Sequence, residues 1–320
     1  MKSEINEIKS NLDALWSRVA QYRSSKQYME MIHACASFRE LAPYNAMLIQ
    51  MQRPSARYVL TEKQWYDQYK RRIKPNARPM IILVQFGPVD FVFDISDTYA
   101  DSLFKETDES ILDRIAEPYK TKKPVAKKVL DTLIGNLAFY GIKLDRNFVS
   151  GSSYAAQIER RNDLQSIEVR VNKGNTLIWK ASYLLSVRNG AGDGECFASI
   201  CHELAHLFCR HISMPSKWTE KRWDARRIGS KLEEFEAEST SWLICERLGI
   251  GNPSEEYLTN FTDRNEEVAP NVSIERILAA TSEIERMLKP MNYRYGMLFK
   301  HDKDFRQVVT EIKRNSKGDT

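Results

Sequence analysis

Apolar residues recur at helical spacing over much of the chain, and shorter stretches alternate apolar with polar residues instead. An apolar residue at every third or fourth position predicts a helix with one buried face, whereas strict alternation predicts a strand. Outside the segments discussed below, the predicted helices cover residues 4–24, 27–40, 43–52, 125–141 and 273–288. The pattern therefore predicts an α+β protein.

The first hundred residues combine helices with a short sheet. A strand-like run at 57–60 is followed by Thr61 and Gln64, a capping-box pair that predicts the start of a helix. Two further runs, 80–86 and 89–95, are separated by a Gly-Pro turn signal and predict a β-hairpin. In the second run Val89, Phe91, Phe93 and Ile95 are expected to share the buried face. These elements predict a small helical and β-hairpin domain.

The segment after this domain is charged and lacks clear periodicity, so we interpret it as a connection. The predicted organisation is a domain over 1–105, a linker over 106–124, a second domain over 125–290 and a C-terminal extension over 291–320. In the second domain, strands are expected around 148–156 and 167–171.

A short motif, His-Glu-Leu-Ala-His at residues 202–206, carries the most specific chemistry. Residues four apart lie on one face of a helix, so His202 and His206 can direct their imidazoles at one metal ion. Glu203 is rotated by roughly 100° around the helix, beside the metal but not facing it. That is the position of a general base for the water that the metal activates.

The specificity of this motif can be judged from its expected frequency by chance and from the apolar residues around it. With five histidines in 320 residues, the pattern His-acid-x-x-His is expected about 0.01 times in such a chain. The alternative is a pair of hydrogen-bonded histidines on an ordinary core helix. The apolar body that a rigid metal-binding helix needs is present in Phe197, Ile200, Cys201, Leu204, Leu207 and Phe208.

A zinc site requires a third protein ligand, and the sequence offers three candidates. His211 lies one residue short of the metzincin spacing, and Cys209 is better explained as core. The third candidate is an acidic helix start, where Glu234 and Glu238 share a face. We therefore predict Glu234 as the third ligand and Glu238 as an acceptor that orients a ligand histidine. Its neighbours Glu233 and Glu236 are the rival ligands and are expected to face solvent.

Bulk composition narrows the class of protein. The hydrophobic content of 42% allows a packed core, and no apolar run approaches the length of a membrane span. The five cysteines are odd in number and contain no CxxC pair, which favours free thiols in a reducing cytoplasm. We expect a cytoplasmic protein without a membrane partner. The net charge of +5 is compatible with a polyanionic partner.

One stretch of the N-terminal domain combines aromatic and basic residues. Binders of single-stranded nucleic acid use a basic groove and aromatic rings that stack on bases. The residues predicted for this role are Tyr58, Trp65, Lys70, Arg71, Arg72 and Lys74. The alternative is an amphipathic helix whose aromatic residues lie in the core. A second basic and aromatic stretch, 212–230, could line a substrate cleft, contact nucleic acid or be a solvated insertion.

Two groups of motifs resemble known families. The 202–206 motif, followed by Glu234-x-x-Ala237 and a Leu-Gly-Ile at 248–250, resembles the ImmA/IrrE-type zinc metallopeptidases and the related C-terminal domain of ArdC-type antirestriction proteins. The run YNAMLIQMQ at 44–52, Thr61-x-x-Gln64-Trp65 and FDIS-x-T at 93–98 look like the ArdC N-terminal domain. The resemblance covers roughly 1–105 and 125–290.

This resemblance implies a zincin-like (gluzincin) metallopeptidase domain that binds Zn²⁺, behind a domain associated with single-stranded DNA binding. It implies antirestriction or regulatory proteolysis, with a protein or peptide substrate such as a repressor. The alternative is a DNA-shielding protein in which the zinc is structural. Manganese or cobalt could occupy the same ligands. The sequence does not select an oxyanion-stabilising residue, for which Tyr154, Tyr183 and His211 are the candidates.

Overall fold

The computed structural model describes residues 25–84, 87, 89–100, 106–148, 155–170, 176–213, 224–251 and 272–290. These residues form a mixed α+β structure, as predicted, and the chain divides into two compact units. Unit 1 comprises Met1–Lys123 and Leu243–Leu278, and unit 2 comprises Pro124–Trp242 and Ala279–Thr320. The predicted helix 4–24 and the extension 291–320 lie outside the described residues.

Unit 1 contains four helices and five short strands among its described residues up to Lys123. The helices are α1 (Ser25–Ser37), α2 (Pro43–Gln52), α3 (Glu62–Tyr69) and α4 (Asp108–Ala116). The strands are β1 (Val59–Leu60), β2 (Arg71–Ile73), β3 (Met80–Ile82), β4 (Asp90–Asp94) and β5 (Thr98–Ala100). Strands β1, β4 and β3 form one antiparallel sheet, and β2 pairs with β5.

The predicted capping box and hairpin are both confirmed. Thr61 Oγ1 accepts a hydrogen bond from the N–H of Gln64, and Gln64 Oε1 accepts one from the N–H of Thr61. These two bonds satisfy backbone donors that the first turn of α3 would otherwise leave unpaired. Strands β3 and β4 pair with Met80 opposite Val92.

The outer edge of β3 is paired with amide side chains from α2. The Asn45 amide donates to Leu83 O and accepts from Leu83 N–H, each at 2.9 Å. The Gln52 amide makes the same two contacts with Ile81 at 2.8 Å. An open strand edge promotes unwanted pairing between chains, and these amides cover it. The polar positions of the run 44–52 therefore have a structural role.

The buried face predicted for β4 is confirmed in part: Ile95, just after the strand, is fully buried and Phe93 packs against the core. Phe91, expected inside, is 46% exposed, whereas Val92 and Asp94 are buried. Asp94 is tolerated there because its carboxylate accepts hydrogen bonds from the N–H of Arg57 and from the N–H and hydroxyl of Ser96. Burial alone would raise the pKa of Asp94, but these hydrogen bonds outweigh it and hold the pKa below its usual value.

The segment 106–124, interpreted from sequence as a linker, contains helix α4. Ile111 in this helix is fully buried against Leu60, Trp65 and Ile95. A charged helix with few apolar residues gives a weak sequence signal, yet burying one isoleucine here contributes about 1.5–3 kcal/mol. The segment is therefore packed into unit 1.

Residues 243–278 were expected in the second domain but group with unit 1, and Arg247 provides one set of contacts within that unit. Its buried guanidinium donates four hydrogen bonds of 2.7 to 3.1 Å to the carbonyls of Cys35, Phe38, Arg39 and Leu41. These carbonyls lie at and just beyond the end of α1, where a helix leaves its last acceptors without partners. Arg247 therefore caps α1 from far along the chain.

We expect Arg247→Ala to lower the free energy of unfolding by on the order of 3 kcal/mol, because it leaves buried carbonyls unpaired. Arg247→Lys keeps the charge but cannot reproduce the planar fork of donors, so its loss is intermediate. The measurement is the midpoint of urea unfolding. Lys128→Ala, which removes an exposed cation, is the control. Equal stability of Arg247→Ala and Lys128→Ala would contradict the capping role.

Unit 2 supplies the helices and strands around the 202–206 motif. Its strands are β6 (Ile142–Phe148), β7 (Ala156–Arg160), β8 (Ser166–Arg170), β9 (Thr176–Lys180) and β10 (Tyr183–Arg188). Its helices are α5 (Lys127–Leu137) and α6 (Asp193–Phe208), with the parts of α7 (Ser230–Leu248) up to Trp242 and of α8 (Ile274–Met287) from Ala279. Helix α5 continues as a 3₁₀ turn to Gly141, whose φ of 65° confirms the predicted glycine stop.

A mixed three-stranded sheet positions the motif helix. The strand order is β6-β10-β7, with β6 parallel and β7 antiparallel to β10. Helix α6 packs on β7 and β10. The predicted strand at 167–171 is present as β8. Of the strand predicted around 148–156, residues 149–154 lie outside the described residues, β6 ends at Phe148 and β7 begins at Ala156. Strands β9 and β10 were not predicted. None of the described helices has the length and apolar composition needed to cross a bilayer.

Candidate metal centre

Helix α6 holds the motif in a rigid apolar frame. The residues that surround it in sequence are buried, among them Phe197, Ile200, Cys201, Leu204 and Leu207. Because these side chains fill one side of the helix, the two histidines are presented on the other side, where they remain partly accessible.

The structure brings the three predicted ligands together. His202 Nε2 lies 3.1 Å from His206 Nε2 and 3.2 Å from a Glu234 carboxylate oxygen, and His206 Nε2 lies 3.5 Å from the other oxygen. Two ligands bound to a tetrahedral zinc ion at about 2.0–2.2 Å are roughly 3.3–3.6 Å apart. The observed spacings agree with this to within a few tenths of an ångström, so the donor set fits zinc.

Glu203 lies beside the ligands and is held by the sheet. It is 9% exposed, and its Oε2 accepts a 2.8 Å hydrogen bond from the N–H of Ile158 in β7. Burial raises the pKa of the Glu203 carboxyl, against the opposing effects of His202, His206 and the Ile158 N–H. A carboxylate with a raised pKa is better matched to accepting a proton near neutral pH.

The electrostatic field of the site favours a cation. Glu238 Oε1 lies 3.5 Å from His202 Nδ1, on the ring edge away from Glu234. Burial would lower the pKa of His202, but the carboxylates of Glu234, Glu238 and Glu203 outweigh it and raise the pKa to about 10. Hydrogen bonds to His202 and His206 in turn hold the pKa of Glu234 well below its usual value. A divalent cation is stabilised by the same field.

A second chain of contacts begins at the other nitrogen of His206. His206 Nδ1 lies 3.0 Å from His211 Nδ1, and His211 Nε2 lies 2.9 Å from Glu236 Oε2. Arg226 binds both Glu236 oxygens, at 2.7 and 3.0 Å. The expectation that Glu236 faces solvent is therefore wrong, because this carboxylate is fully buried and paired with a cation.

A Schellman turn at the end of α6 explains how His211 reaches His206. The N–H of His211 donates to His206 O and the N–H of Arg210 donates to Leu207 O, the pair of bonds that defines this motif. Arg210 has the left-handed φ of 67° that the turn requires. Glycine is the usual residue at that position, so the sequence carried no turn signal here. Glu236 and Arg226 were missed as partners because their pairing depends on this turn.

The three oxyanion candidates have different outcomes. Tyr154 lies outside the described residues. Tyr183 is buried and its hydroxyl donates to Ser213 O at 3.0 Å. His211 is engaged with His206 and Glu236 on both ring nitrogens. In both described candidates the polar group is therefore already bonded to another residue of the protein. Cys209 is buried, as expected for a core residue.

Two residues predicted to contact nucleic acid lie inside unit 1. Trp65 is fully buried, and its indole N–H donates to Phe93 O at 2.8 Å. Arg71 is 4% exposed and binds Thr98 and Asp108. A buried ring cannot stack on a base and a paired guanidinium cannot bind a phosphate, so both are removed from the predicted set. Tyr58 is partly buried, with its ring edge-on to Trp65.

Two of the other basic residues of the set, Lys70 and Arg72, lie beside an exposed tyrosine that was not in it. Tyr66 is 45% exposed, and the cations of Lys70 and Arg72 lie 5.2 and 5.5 Å from its ring centroid. Tyr99, 44% exposed, is the cross-strand partner of Arg72 in the β2–β5 pair. Lys74 is exposed and donates to Ser96 O. We call Tyr66, Lys70, Arg72, Lys74 and Tyr99 the Tyr66 surface.

In the second basic and aromatic stretch, 212–230, residues 214–223 lie outside the described residues. Arg226 is directed inward to Glu236.

A scan against protein-family models found no match, and searches of curated proteins and of solved structures found none either. The function of the chain is therefore inferred from the site itself.

Proposed function

We propose that the chain is a zinc-dependent peptidase whose zinc is held by His202, His206 and Glu234. The observation that carries this proposal is the convergence of two histidine nitrogens, 3.1 Å apart, on the Glu234 carboxylate, whose two oxygens lie 3.2 and 3.5 Å from them. A buried carboxylate, Glu203, lies next to them and is not one of the converging donors. Three protein ligands leave a coordination position for a water or a substrate, as catalytic zinc sites require.

Glu203 has the role of general base and then general acid. When bound, zinc supplies a Lewis acid that polarises a carbonyl and makes a water more acidic. The Ile158 N–H fixes Glu203 Oε2, and we assign the proton transfer to Oε1. Glu203 takes a proton from the attacking water and passes it to the leaving amine. His202 and His206 would bind the zinc through their Nε2 atoms, while Glu238 accepts from His202 Nδ1.

The position of β7 supports a peptide as the substrate. It is the outer strand of the sheet β6-β10-β7, and its Ile158 contacts Glu203. An extended peptide can add to such an edge through main-chain hydrogen bonds, next to the catalytic carboxylate. The zincin-like fold and the likeness to ImmA/IrrE-type and ArdC-type proteins belong to this proposal, with antirestriction or cleavage of a repressor as the biological setting.

The experiment that tests this proposal measures zinc content and peptide hydrolysis on the same preparation. Casein labelled with a quenched fluorophore serves as the substrate, and a chelator followed by added Zn²⁺ provides removal and return of the metal. Hydrolysis that is lost with chelator and restored by Zn²⁺ supports it. Zinc binding without hydrolysis would favour the alternative, a non-proteolytic binding protein with a structural zinc.

We infer a second property, binding of single-stranded DNA, from the Tyr66 surface. The exposed ring of Tyr66 has the cations of Lys70 and Arg72 within 5.5 Å, and the exposed Tyr99 is the cross-strand partner of Arg72. Lys74, also exposed, follows Arg72 by two residues. A nucleobase can stack on such a ring while the phosphates on either side contact the cations. The surface retains the predicted residues Lys70, Arg72 and Lys74 and replaces the buried Trp65 and Arg71 by Tyr66 and Tyr99.

Tyr66→Ala is expected to weaken binding of a fluorescent oligo-dT by about 1–3 kcal/mol, because one base loses its stacking partner. Fluorescence anisotropy at two salt concentrations measures the affinity and its ionic component. Phe91→Ala removes an equally exposed ring outside the Tyr66 surface and is the matched control. Unchanged binding by Tyr66→Ala, or an equal loss in Phe91→Ala, would argue against this surface.

A further inference from the structure

The contacts beyond His206 form a continuous chain of hydrogen bonds, which we call the positioning line. It ends on a buried ion pair. His206 Nδ1, His211, Glu236 and Arg226 follow one another at 3.0, 2.9 and 2.7 Å. Arg226 is itself anchored, since its guanidinium also donates to Cys209 O at 3.1 Å. The line starts at a proposed zinc ligand and is formed by side chains outside the His202, His206 and Glu234 group.

We propose that His211, Glu236 and Arg226 are positioning residues that fix the ring orientation and tautomer of His206 for zinc binding. This inference rests on the proposed zinc site. These three residues would support His206 in the way that Glu238 supports His202.

The direction of the hydrogen bonds follows from the end of the line. Glu236 is an acceptor because both of its oxygens face Arg226 donors, so His211 Nε2 carries the hydrogen that it receives. With Nε2 as its donor, His211 can accept at Nδ1, which faces His206 Nδ1. His206 therefore carries its hydrogen on Nδ1, and its Nε2 lone pair is left for the metal.

A second metal ion among Cys209, His211 and Glu236 is the rival explanation. Their donor atoms all lie within 4.8 Å of one another. However, the Arg226 guanidinium already holds both Glu236 oxygens, and a metal ion would place a second cation against it. His211 Nδ1 is also paired with His206, so two of the three donors are already in use as a positioning line.

The two ligand histidines are supported differently. His202 Nδ1 lies 3.5 Å from Glu238, a side chain on the same helix, α7, as Glu234. His206 Nδ1 is linked to the Glu236 carboxylate through His211, whose place is set by the Schellman turn after α6. The His206 side is therefore the one that a change in this turn or in Arg226 would loosen.

The test compares zinc affinity by competition with a chromogenic chelator in wild type, His211→Phe, His211→Gln and Tyr183→Phe. His211→Phe keeps an aromatic ring but removes both hydrogen bonds, and a fall of about 10–100-fold in zinc affinity is expected. His211→Gln can accept from His206 and donate to Glu236, so it should recover most of that loss. Tyr183→Phe removes the hydroxyl anchor of Ser213, two residues after His211, and should leave the affinity unchanged.

Long-range ¹H–¹⁵N correlation spectra of the zinc-loaded wild type give a readout independent of these variants. The expected result is a ring hydrogen on Nδ1 of His206 and on Nε2 of His211. A hydrogen on Nδ1 of His211, or His211→Phe with wild-type affinity, would overturn this inference while leaving the zinc site in place. A wild type that binds no zinc would overturn the proposed site itself.

Discussion

Glu203→Gln is expected to lower the rate of peptide hydrolysis by about 10²–10⁴-fold while the protein still binds one zinc ion. The amide is nearly isosteric and its oxygen can still accept from the Ile158 N–H, so the contact that holds the side chain is retained. What is lost is the ability to take a proton from water. Because Glu203 is not among the three converging donors, zinc content should not change.

Glu195→Gln is the matched control for this variant. It makes the same chemical change in the same helix, in its first turn, where the side chain is paired with Arg188. Its activity should be that of the wild type. Loss of zinc in Glu203→Gln would show that Glu203 is a ligand, and full activity would show that it is not the base.

Glu234→Ala is expected to reduce zinc affinity by more than roughly 100-fold. That is the largest loss usually caused by mutating a residue that only hydrogen-bonds to a metal ligand. The substitution removes one of three protein ligands and the carboxylate that contacts both histidines. Zinc content after gel filtration and a competition titration measure the loss. Unfolding by urea, followed in the presence of a chelator, checks that the apo protein remains folded.

Glu233→Ala tests whether the position matters more than the charge. Glu233 is adjacent to Glu234 on α7 but lies about 100° around the helix from it. Replacing Glu233 removes the same charge as replacing Glu234. The zinc affinity of Glu233→Ala should stay within a few-fold of wild type. Equal loss in the two variants would mean that the acidic helix acts only through its net charge.

The core of the site was accessible from sequence because it depends on helical geometry alone. The four-residue spacing of His202 and His206 and of Glu234 and Glu238 fixes a shared face in any helix. The facing of α6 and α7 could not be derived this way, and only the metal requirement suggested it. The contact of His211 with His206 depends on a Schellman turn whose left-handed residue is Arg210 rather than a glycine. No local sequence pattern therefore predicted that His211, Glu236 and Arg226 would support the site.

In unit 1, local signals succeeded and face assignments failed. The capping box at Thr61 and the β3–β4 hairpin are specified by neighbouring residues and were predicted. Trp65 and Arg71 were assigned to the surface from residue type, yet tertiary partners, Phe93 O and Asp108, place them inside. Aromatic and basic composition therefore identified the region of the Tyr66 surface but not its members.

Anomalous diffraction at the zinc edge, from crystals grown with stoichiometric Zn²⁺, tests the central claim most directly. One strong peak is expected, about 2.0–2.2 Å from His202 Nε2, His206 Nε2 and a Glu234 oxygen. Absence of a peak there, or a peak among Cys209, His211 and Glu236 instead, would contradict it.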